Sequence, residues 1–294
     1  MIVTADDFGL ASEVNEAIEA AHRRGILTAA SLMVAGAAAA DAVRRARSLP
    51  SLRVGLHLAL VDSRPVLPTS SVPDLIDAAG NFRQDMVATS IAIAFSRKVR
   101  RQVALEIAAQ FERFQATGLR LDHVDAHKHF HLHPSIAALV CRIGRQYGMQ
   151  ALRAPVEPAA PVRSAELALA PATGERRNVS GIPVWLTRRF ATRLQRQIRH
   201  QGFKTADQVF GLAWSGAINA ARLCALVPHL PEGLTEIYCH PATADAFAGG
   251  APGYRYRDEL AALLEPRVAA AVHANDIRLT AYSELASSSP PPIG

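Results

Sequence analysis

Short apolar runs rich in β-branched residues alternate with segments of helical period along almost the whole chain of 294 residues. Parallel strands need a long crossover between them, and a helix is the usual crossover, so this alternation favours a parallel α/β fold. About eight such units indicate a single (β/α) barrel, TIM-like or a distorted version of one. The predicted strands are residues 2–5, 29–34, 53–60, 119–124, 151–154, 208–213, 234–239 and 277–282.

Helical period and end signals are clearest in three segments. Ser12–Arg24 carries apolar residues on one face and is followed by Gly25, a favourable residue for a helix C-terminus. Residues 97–117 repeat the pattern, and Pro134 stands where proline fits best, at the first position of a further helix. These segments are predicted to be crossover helices.

The composition is that of a globular protein, with 49% hydrophobic and 20% charged residues. No long polar linker interrupts the alternation, which predicts one domain over residues 1–286. Residues 287–294 are rich in serine and proline and have little apolar surface to bury, so we expect them to form a disordered tail.

The net charge of +6 and the isoelectric point near 9.6 would suit a nucleic acid, a membrane surface or an anionic substrate. Much of the basic excess lies in residues 97–101 and 188–204. Neither segment has the aromatic and basic spacing of an RNA- or DNA-binding module, so no nucleic-acid partner is predicted.

Cysteine usage and the N-terminal sequence favour a cytoplasmic location. Cys141, Cys224 and Cys239 are scattered, without the spacing of a disulfide framework or a metal site. The first residues run directly into a predicted strand and not into an apolar leader. No stretch of about 18 uncharged apolar residues occurs, so no membrane-spanning helix is predicted.

Residues that can bind metal or transfer protons lie at the predicted carboxyl ends of four strands. In a parallel barrel, the active site is found at these strand ends. Five of the eleven histidines fall within one stretch of eleven residues, 123–133, into which the fourth strand runs. The four groups are Asp6-Asp7, Gly55-Leu56-His57, residues 123–133 and residues 236–240.

Each group alone has an ordinary structural explanation. The aspartate pair could simply be a cap of the following helix, and His57 could be a hydrogen-bonded core residue. His240 could simply end a strand, and the histidine run could bind metal adventitiously. Four such groups on one rim make a shared function the better interpretation.

Alternation along the fourth predicted strand places His123, Asp125 and His127 on one face. One carboxylate and two imidazoles can bind a catalytic divalent metal and leave positions open for water and a carbonyl oxygen. Such a metal lowers the pKa of water and polarises the carbonyl. Asp6 and Asp7 can supply one ligand and one general base from adjacent positions. The residues therefore predict a metal-dependent hydrolase.

At these residues the chain resembles the YdjC-like carbohydrate deacetylase family. The matching segments are residues 4–9, 55–58, 77–82, 123–131 with Pro134, 153–155 and 236–241, and the first and fourth together are highly specific. Residues 211–216 and 238–243 further resemble the hopanoid-biosynthesis-associated branch, HpnK. The Asp-Gly-His common in the family is Asp125-Ala126-His127 here, a small departure that we expect to leave metal binding intact.

The resemblance implies a role for each matching residue. Asp7, His57 and His127 correspond to the metal ligands of the family, and Asp6 corresponds to its proposed base. Two imidazoles and a carboxylate favour Zn²⁺, with Mg²⁺ as the alternative.

Four further residues are assigned to the leaving group or the substrate. His240 is the candidate acid that protonates the leaving amine. Arg153 is expected to orient Asp6 or to bind substrate. His129 and His131 are predicted substrate-binding residues.

The implied activity is removal of the N-acetyl group from an N-acetylglucosaminyl substrate, with an N-acetylglucosaminyl hopanoid lipid expected. The alternatives are a soluble N-acetylated oligosaccharide, another metal hydrolase on the same scaffold, and a sugar- or lipid-binding barrel without catalysis. An amidohydrolase usually carries His-x-His where this chain has Asp6-Asp7. The presence of Asp6 beside a complete set of metal ligands argues against a non-catalytic binding protein.

A lipid substrate would require contact with the inner face of the membrane. Residues 184–200 form a predicted basic amphipathic helix, in which Leu186, Phe190, Leu194 and Ile198 recur every four residues. This helix could lie at a membrane surface, or it could pack on the barrel as an ordinary outer helix. Both interpretations stay open here, as does the possibility of a homo-oligomer.

Overall fold

The computed structural model describes residues 1–169 and 184–285, without the side chains of residues 184–187. The strands in these ranges are β1 Ile2–Phe8, β2 Ala29–Leu32, β3 Arg53–Leu58, β4 Leu121–Ala126, β5 Gln208–Phe210 and β6 Thr235–Cys239. They form one sheet in the order β4-β3-β2-β1-β6-β5, and every neighbouring pair is parallel. The predicted parallel α/β fold is confirmed.

The sheet curls into a half-barrel whose two edge strands approach the same segment. Leu152 forms an isolated bridge with Val124 of β4, and the Val156 carbonyl accepts a hydrogen bond of 2.9 Å from Val209 of β5. The predicted strand at residues 151–154 is reduced to isolated bridges. Pro155 follows it directly and has no N–H to continue a ladder.

The predicted eighth strand, residues 277–282, is not formed. This segment meets the amino end of β1, where the Thr280 N–H donates to the Met1 carbonyl at 2.9 Å. The described residues therefore contain six strands and not the eight of a regular TIM barrel.

Helices connect the strands and cover the outside of the sheet, and the predicted crossover helices are present. In the described ranges they are α1 Ser12–Arg24, α2 Ala39–Arg47, α3 Met86–Phe95, α4 Arg97–Ala116, α5 Pro134–Gln146, α6 Ala159–Leu169, α7 Val184–His200, α8 Ala220–Leu226, α9 Tyr256–Leu264 and α10 Pro266–Ala274. The segment His127–Leu132 connects β4 to α5 by short helical turns with a kink at Lys128 and His129, whose φ angles of 52° and 53° lie in the left-handed region.

The core lies between the sheet and these helices, and it includes side chains from α1 and α4. Val14 and Ile18 of α1 and Ile107 and Phe111 of α4 are almost completely buried. Burial of each such side chain stabilises the fold by about 1.5–3 kcal/mol.

Gly55 of β3 allows a histidine of β4 to pack against the backbone. A Cβ atom at Gly55 would lie 2.5 Å from the His123 ring, closer than any real contact. The glycine is therefore required for the position of His123, which is buried beside the candidate site.

Helix α7 buries the described C-terminal part of its apolar stripe. Leu194 and Ile198 are buried against the protein, whereas Phe190 is 41% exposed. This half of the helix packs as an ordinary outer helix, and Arg193 and Arg196 face solvent. The side chain of Leu186 and the predicted tail lie outside the described residues. No helix in the described part of the chain is both long and apolar enough to cross a membrane.

Candidate active site and metal centre

Three predicted residues meet at the carboxyl end of the sheet. Asp7 is near the end of β1, His57 is near the end of β3, and His127 directly follows β4. Asp7 Oδ1 lies 3.3 Å from His57 Nε2 and 3.1 Å from His127 Nδ1. Asp7 has a φ of 63°, in the left-handed region that aspartate tolerates better than most residues. The backbone thus departs from strand geometry at the carboxylate.

The donor set of Asp7, His57 and His127 fits a divalent metal ion. Their ligand atoms all lie within 4.8 Å of one another, and one carboxylate with two imidazoles is a common set for a catalytic ion. Burial alone would raise the pKa of Asp7, but the two histidines outweigh it and hold the pKa well below the ordinary value. The carboxylate is therefore ionised and ready to bind a cation.

A second cluster, formed by Asp6, His57 and Asp125, also has its ligand atoms within 4.8 Å. This position already holds a positive charge, because Arg153 Nη1 lies 2.7 Å from Asp6 Oδ2 and 2.7 Å from Asp125 Oδ2. Repulsion from the guanidinium disfavours a metal ion there. The set that includes Asp7 is thus the better metal centre.

Asp125 fixes the orientation of the His57 ring. Its Oδ1 lies 2.8 Å from His57 Nδ1, so Nδ1 donates and Nε2 points toward Asp7. Ser31 Oγ donates to Asp125 Oδ2 at 2.7 Å. Burial would raise the pKa of Asp125, but Arg153 and His57 outweigh it and hold the pKa well below its usual range. A carboxylate that orients a ligating histidine is a common arrangement around protein-bound metals.

Asp6 is held by the two Nη atoms of one guanidinium. Arg153 Nη1 donates to Asp6 Oδ2 at 2.7 Å and Nη2 donates to Oδ1 at 2.8 Å. Burial raises the pKa of Asp6 above the usual value for aspartate, although Arg153 opposes that shift. The two adjacent aspartates therefore have opposite pKa shifts, which suits different chemical roles.

Arg153 is fully buried among carboxylates. It contacts Asp6, Asp125 and Glu236, with Nε donating to Glu236 Oε1 at 3.0 Å. Its guanidinium also lies over the Tyr238 ring, 4.9 Å from the centroid. Of its two predicted roles, these contacts correspond to the orientation of Asp6.

The two histidines predicted to bind substrate differ in exposure. His129 is half-buried, and its Nε2 lies 3.0 Å from the Tyr238 hydroxyl. His131 is fully buried, and its Nε2 lies 2.8 Å from the Arg153 carbonyl. Since a carbonyl can only accept, His131 Nε2 carries the proton and the ring supports the Arg153 backbone.

His240 follows β6 on the same rim, in a group with Glu259 and two tyrosines. Its backbone N–H donates to Glu259 Oε2, and its Nδ1 lies 3.9 Å from the same oxygen. Its ring is 5.7 Å from Tyr238 and 5.2 Å from Tyr254, measured between centroids. The structure thus connects His240 to the Asp6 cluster through Tyr238, which packs beneath Arg153.

Sequence patterns did not assign roles to Glu236, Glu259 and Tyr238. Glu236 is a charged residue inside an apolar strand, a signal that predicts a buried partner. Glu259 and Tyr238 have no comparable signal, because their importance arises from contacts with residues distant in the sequence.

Comparison with known proteins identifies the family of the chain. The model of a protein family described as "YdjC-like protein" matches residues 1–274 of the chain. The chain belongs to the YdjC-like family. A relative from Geobacillus stearothermophilus named carbohydrate deacetylase is 30% identical over 286 residues, covering 96% of each chain. One of the same name from Vibrio vulnificus strain CMCP6 is 31% identical over 289 residues, covering 97% of this chain and 96% of the relative.

The chain is similar in fold to a protein from Enterococcus faecalis V583 whose crystal structure has been solved. That protein is described as a candidate cellobiose-phosphate cleavage protein. It has a TM-score of 0.73 and 27% identity, and the match covers 97% of this chain and 98% of the other. The overall fold of the chain is therefore similar to one determined by crystallography.

Proposed function

We propose that this protein is a metal-dependent deacetylase that hydrolyses the N-acetyl group of an N-acetylated carbohydrate. The observation that carries the proposal is the geometry of adjacent aspartates: Asp7 lies within 3.3 Å of the ring nitrogens of His57 and His127, whereas Asp6 is held by Arg153 beside that cluster. The names of the two full-length relatives support the same reaction.

Asp7, His57 and His127 would hold the metal ion. When bound, a divalent cation at this position would polarise the acyl carbonyl and acidify a water molecule. Two imidazoles and one carboxylate favour Zn²⁺ over Mg²⁺ in the affinity order of divalent metals. Asp125 keeps His57 Nε2 directed toward Asp7 through the hydrogen bond to Nδ1.

Asp6 would act as the general base. A carboxylate with a raised pKa accepts a proton from water more readily, and Arg153 holds it in a single orientation. Each carboxylate oxygen has two lone pairs, so one on each remains for a water proton beside the hydrogen bond from Arg153. Asp6 thus takes the proton as the water oxygen attacks the acetyl carbon.

His240 would donate a proton to the amine as the C–N bond breaks. Amine expulsion without protonation is slow, so an acid is needed on the leaving-group side. Glu259 Oε2, 3.9 Å from His240 Nδ1, can stabilise the protonated imidazole. Arg153 and His131 would serve as positioning residues, whereas the half-buried His129 would contact the sugar.

The proposed substrate is an N-acetylglucosaminyl hopanoid lipid, and a soluble N-acetylglucosamine oligosaccharide is the alternative. The resemblance of residues 211–216 and 238–243 to the hopanoid-associated branch supports the lipid. The names of the full-length relatives support a carbohydrate without specifying a lipid.

Acetate release from both substrates, with and without a chelator, tests the proposal. We expect release from the lipid-linked sugar to exceed release from the free oligosaccharide and to stop when the metal is removed. Release from neither substrate after metal addition would support a binding protein and overturn the deacetylase. Release that persists in chelator, with metal loss verified by elemental analysis, would overturn the metal requirement.

A further inference from the structure

An exposed apolar stripe runs along helix α3. Val87, Ile91 and Phe95 are spaced four residues apart, and they are 70%, 57% and 85% exposed. The opposite side of α3 is buried through Thr89 and Ile93. The stripe therefore belongs to a folded helix whose inner face is already packed.

Four arginines line a groove that adjoins the last turn of α3. A groove of about 600 Å³ between α4 and α5 is lined by Arg97, Arg100, Arg101 and Arg142. Arg100 Nη1 donates to the carbonyls of Ile93 and Ala94, which joins the last turn of α3 to the groove. We call the stripe and these four arginines the α3–α5 surface.

Within the described part of the chain, the arginines of this surface have no acidic partner. Among the described residues these four arginines have no carboxylate within ion-pair distance, whereas the neighbouring Lys98 pairs with Asp74 at 2.9 Å. Arg97, Lys98 and Arg100 also occupy the N-terminal turn of α4, which contains no acidic residue. Cations at the positive end of a helix dipole are unfavourable, and an external anion would offset that cost.

The α3–α5 surface lies on the rim that carries the candidate site. In a parallel sheet, the helix that follows a strand begins at the carboxyl end of that strand. Helix α5 therefore begins beside the segment of His127, and α4 begins on the same rim because it ends at the amino end of β4. The backbone of Ser90 in α3 contacts the His133 side chain just beyond that segment.

We propose that the α3–α5 surface docks the protein on an anionic lipid bilayer. An apolar stripe with a large aromatic residue, adjoining a groove of arginines without acidic partners, is the chemistry of interfacial membrane binding. A symmetric contact between two copies would bring the same arginines together, and nucleic acid offers nothing to cover the apolar stripe. The proposal stands on this surface and does not depend on the substrate of the enzyme.

Vesicle co-sedimentation of the full chain tests the docking. We expect binding to phosphatidylcholine vesicles that contain phosphatidylglycerol, weakening with salt, and little binding to phosphatidylcholine alone. The triple variant R97Q/R101Q/R142Q should bind on the order of 100-fold more weakly. The double variant I91S/F95S should also bind more weakly, with the salt dependence retained.

A matched control is the triple variant R188Q/R193Q/R196Q, which removes the same charge from exposed positions of α7. It should bind as the wild type does, and all variants should keep the wild-type melting temperature. Absence of wild-type binding, or loss of binding only in the α7 variant, would overturn the proposal. A dimer in light scattering that dissociates in I91S/F95S would show a second copy on this surface and would also overturn it.

Discussion

Asp125 Oδ1 lies 2.8 Å from His57 Nδ1, and both side chains are buried at the end of neighbouring strands. Since the carboxylate occupies Nδ1, only Nε2 of His57 is directed at Asp7. The hydrogen bond determines which nitrogen can bind a metal and how the ring is oriented. The pairing of β3 with β4 therefore determines how His57 is presented to a metal ion.

The first prediction tests this hydrogen bond. Asp125→Asn should weaken metal affinity by about 10–100-fold, because the neutral amide orients and polarises His57 less strongly. Titration calorimetry with Zn²⁺ measures the change. Asp122→Asn is the matched control, since Asp122 is a buried aspartate of the same strand that pairs with His123 and not with His57. Equal affinities in the two variants would contradict the role of Asp125.

The second prediction concerns the ligands themselves. His57→Ala or His127→Ala should abolish both bound metal and activity, because two donors from this set cannot hold the ion at micromolar concentrations. Elemental analysis after gel filtration measures the metal content. His229→Ala, at an exposed position before β6, should retain metal as the wild type does. Full metal content in either ligand variant would refute the assignment.

The third prediction separates the base from the ligand. Asp6→Asn should retain metal and lose about 10²–10⁴-fold in kcat, the loss expected for a general base. Asp7→Asn should lose the metal. Metal analysis and kcat measured on the same preparations distinguish the two. Metal loss in Asp6→Asn, with metal kept in Asp7→Asn, would mean that the two roles are reversed.

Local sequence signals predicted those elements whose ends depend only on the residues of the segment itself. Helix α1 has the predicted ends, since its apolar face and Gly25 are both properties of the segment itself. The strand predicted at residues 208–213 ends instead at Phe210. The N–H groups of residues 211–213 donate to the Glu157 carboxylate, a contact that no local pattern reveals.

The candidate site also has features that the sequence predicts and features that it does not. The meeting of Asp7, His57 and His127 was predictable because each stands at a strand end, and parallel topology brings strand ends together; their selection as metal ligands came from the family resemblance. The position of Arg153 among three carboxylates was not predictable, because it depends on which strands are neighbours. Strand order is a tertiary property, so the sequence suggested Asp6 as a partner of Arg153 without identifying Asp125 or Glu236.

The fourth prediction concerns stability at acidic pH. Burial lowers the pKa of His131 to about 4, so the folded state keeps this imidazole neutral while the unfolded chain protonates it near pH 6.5. A lowered histidine pKa favours unfolding as the pH falls. The contribution of His131 to stability should therefore decline between about pH 6.5 and 4, by on the order of 3 kcal/mol.

Urea unfolding at a series of pH values measures this decline. In His131→Gln, whose side-chain amide can still donate to the Arg153 carbonyl, the unfolding free energy should depend less steeply on pH over that window. Identical slopes for wild type and variant would show that His131 does not titrate as its burial requires.

The last prediction tests whether His240 protonates the leaving group, by comparing substrates whose leaving groups do and do not need a proton. His240→Asn should lose about 10²–10⁴-fold in kcat on an N-acetyl amide, because the departing amine must be protonated. An aryl acetate such as 4-nitrophenyl acetate releases a phenolate that leaves without a proton. Its hydrolysis should therefore change little in the same variant. Asp6→Asn provides the contrast, since loss of the base should slow both substrates. An equal loss on amide and ester in His240→Asn would assign His240 to substrate positioning and not to proton donation.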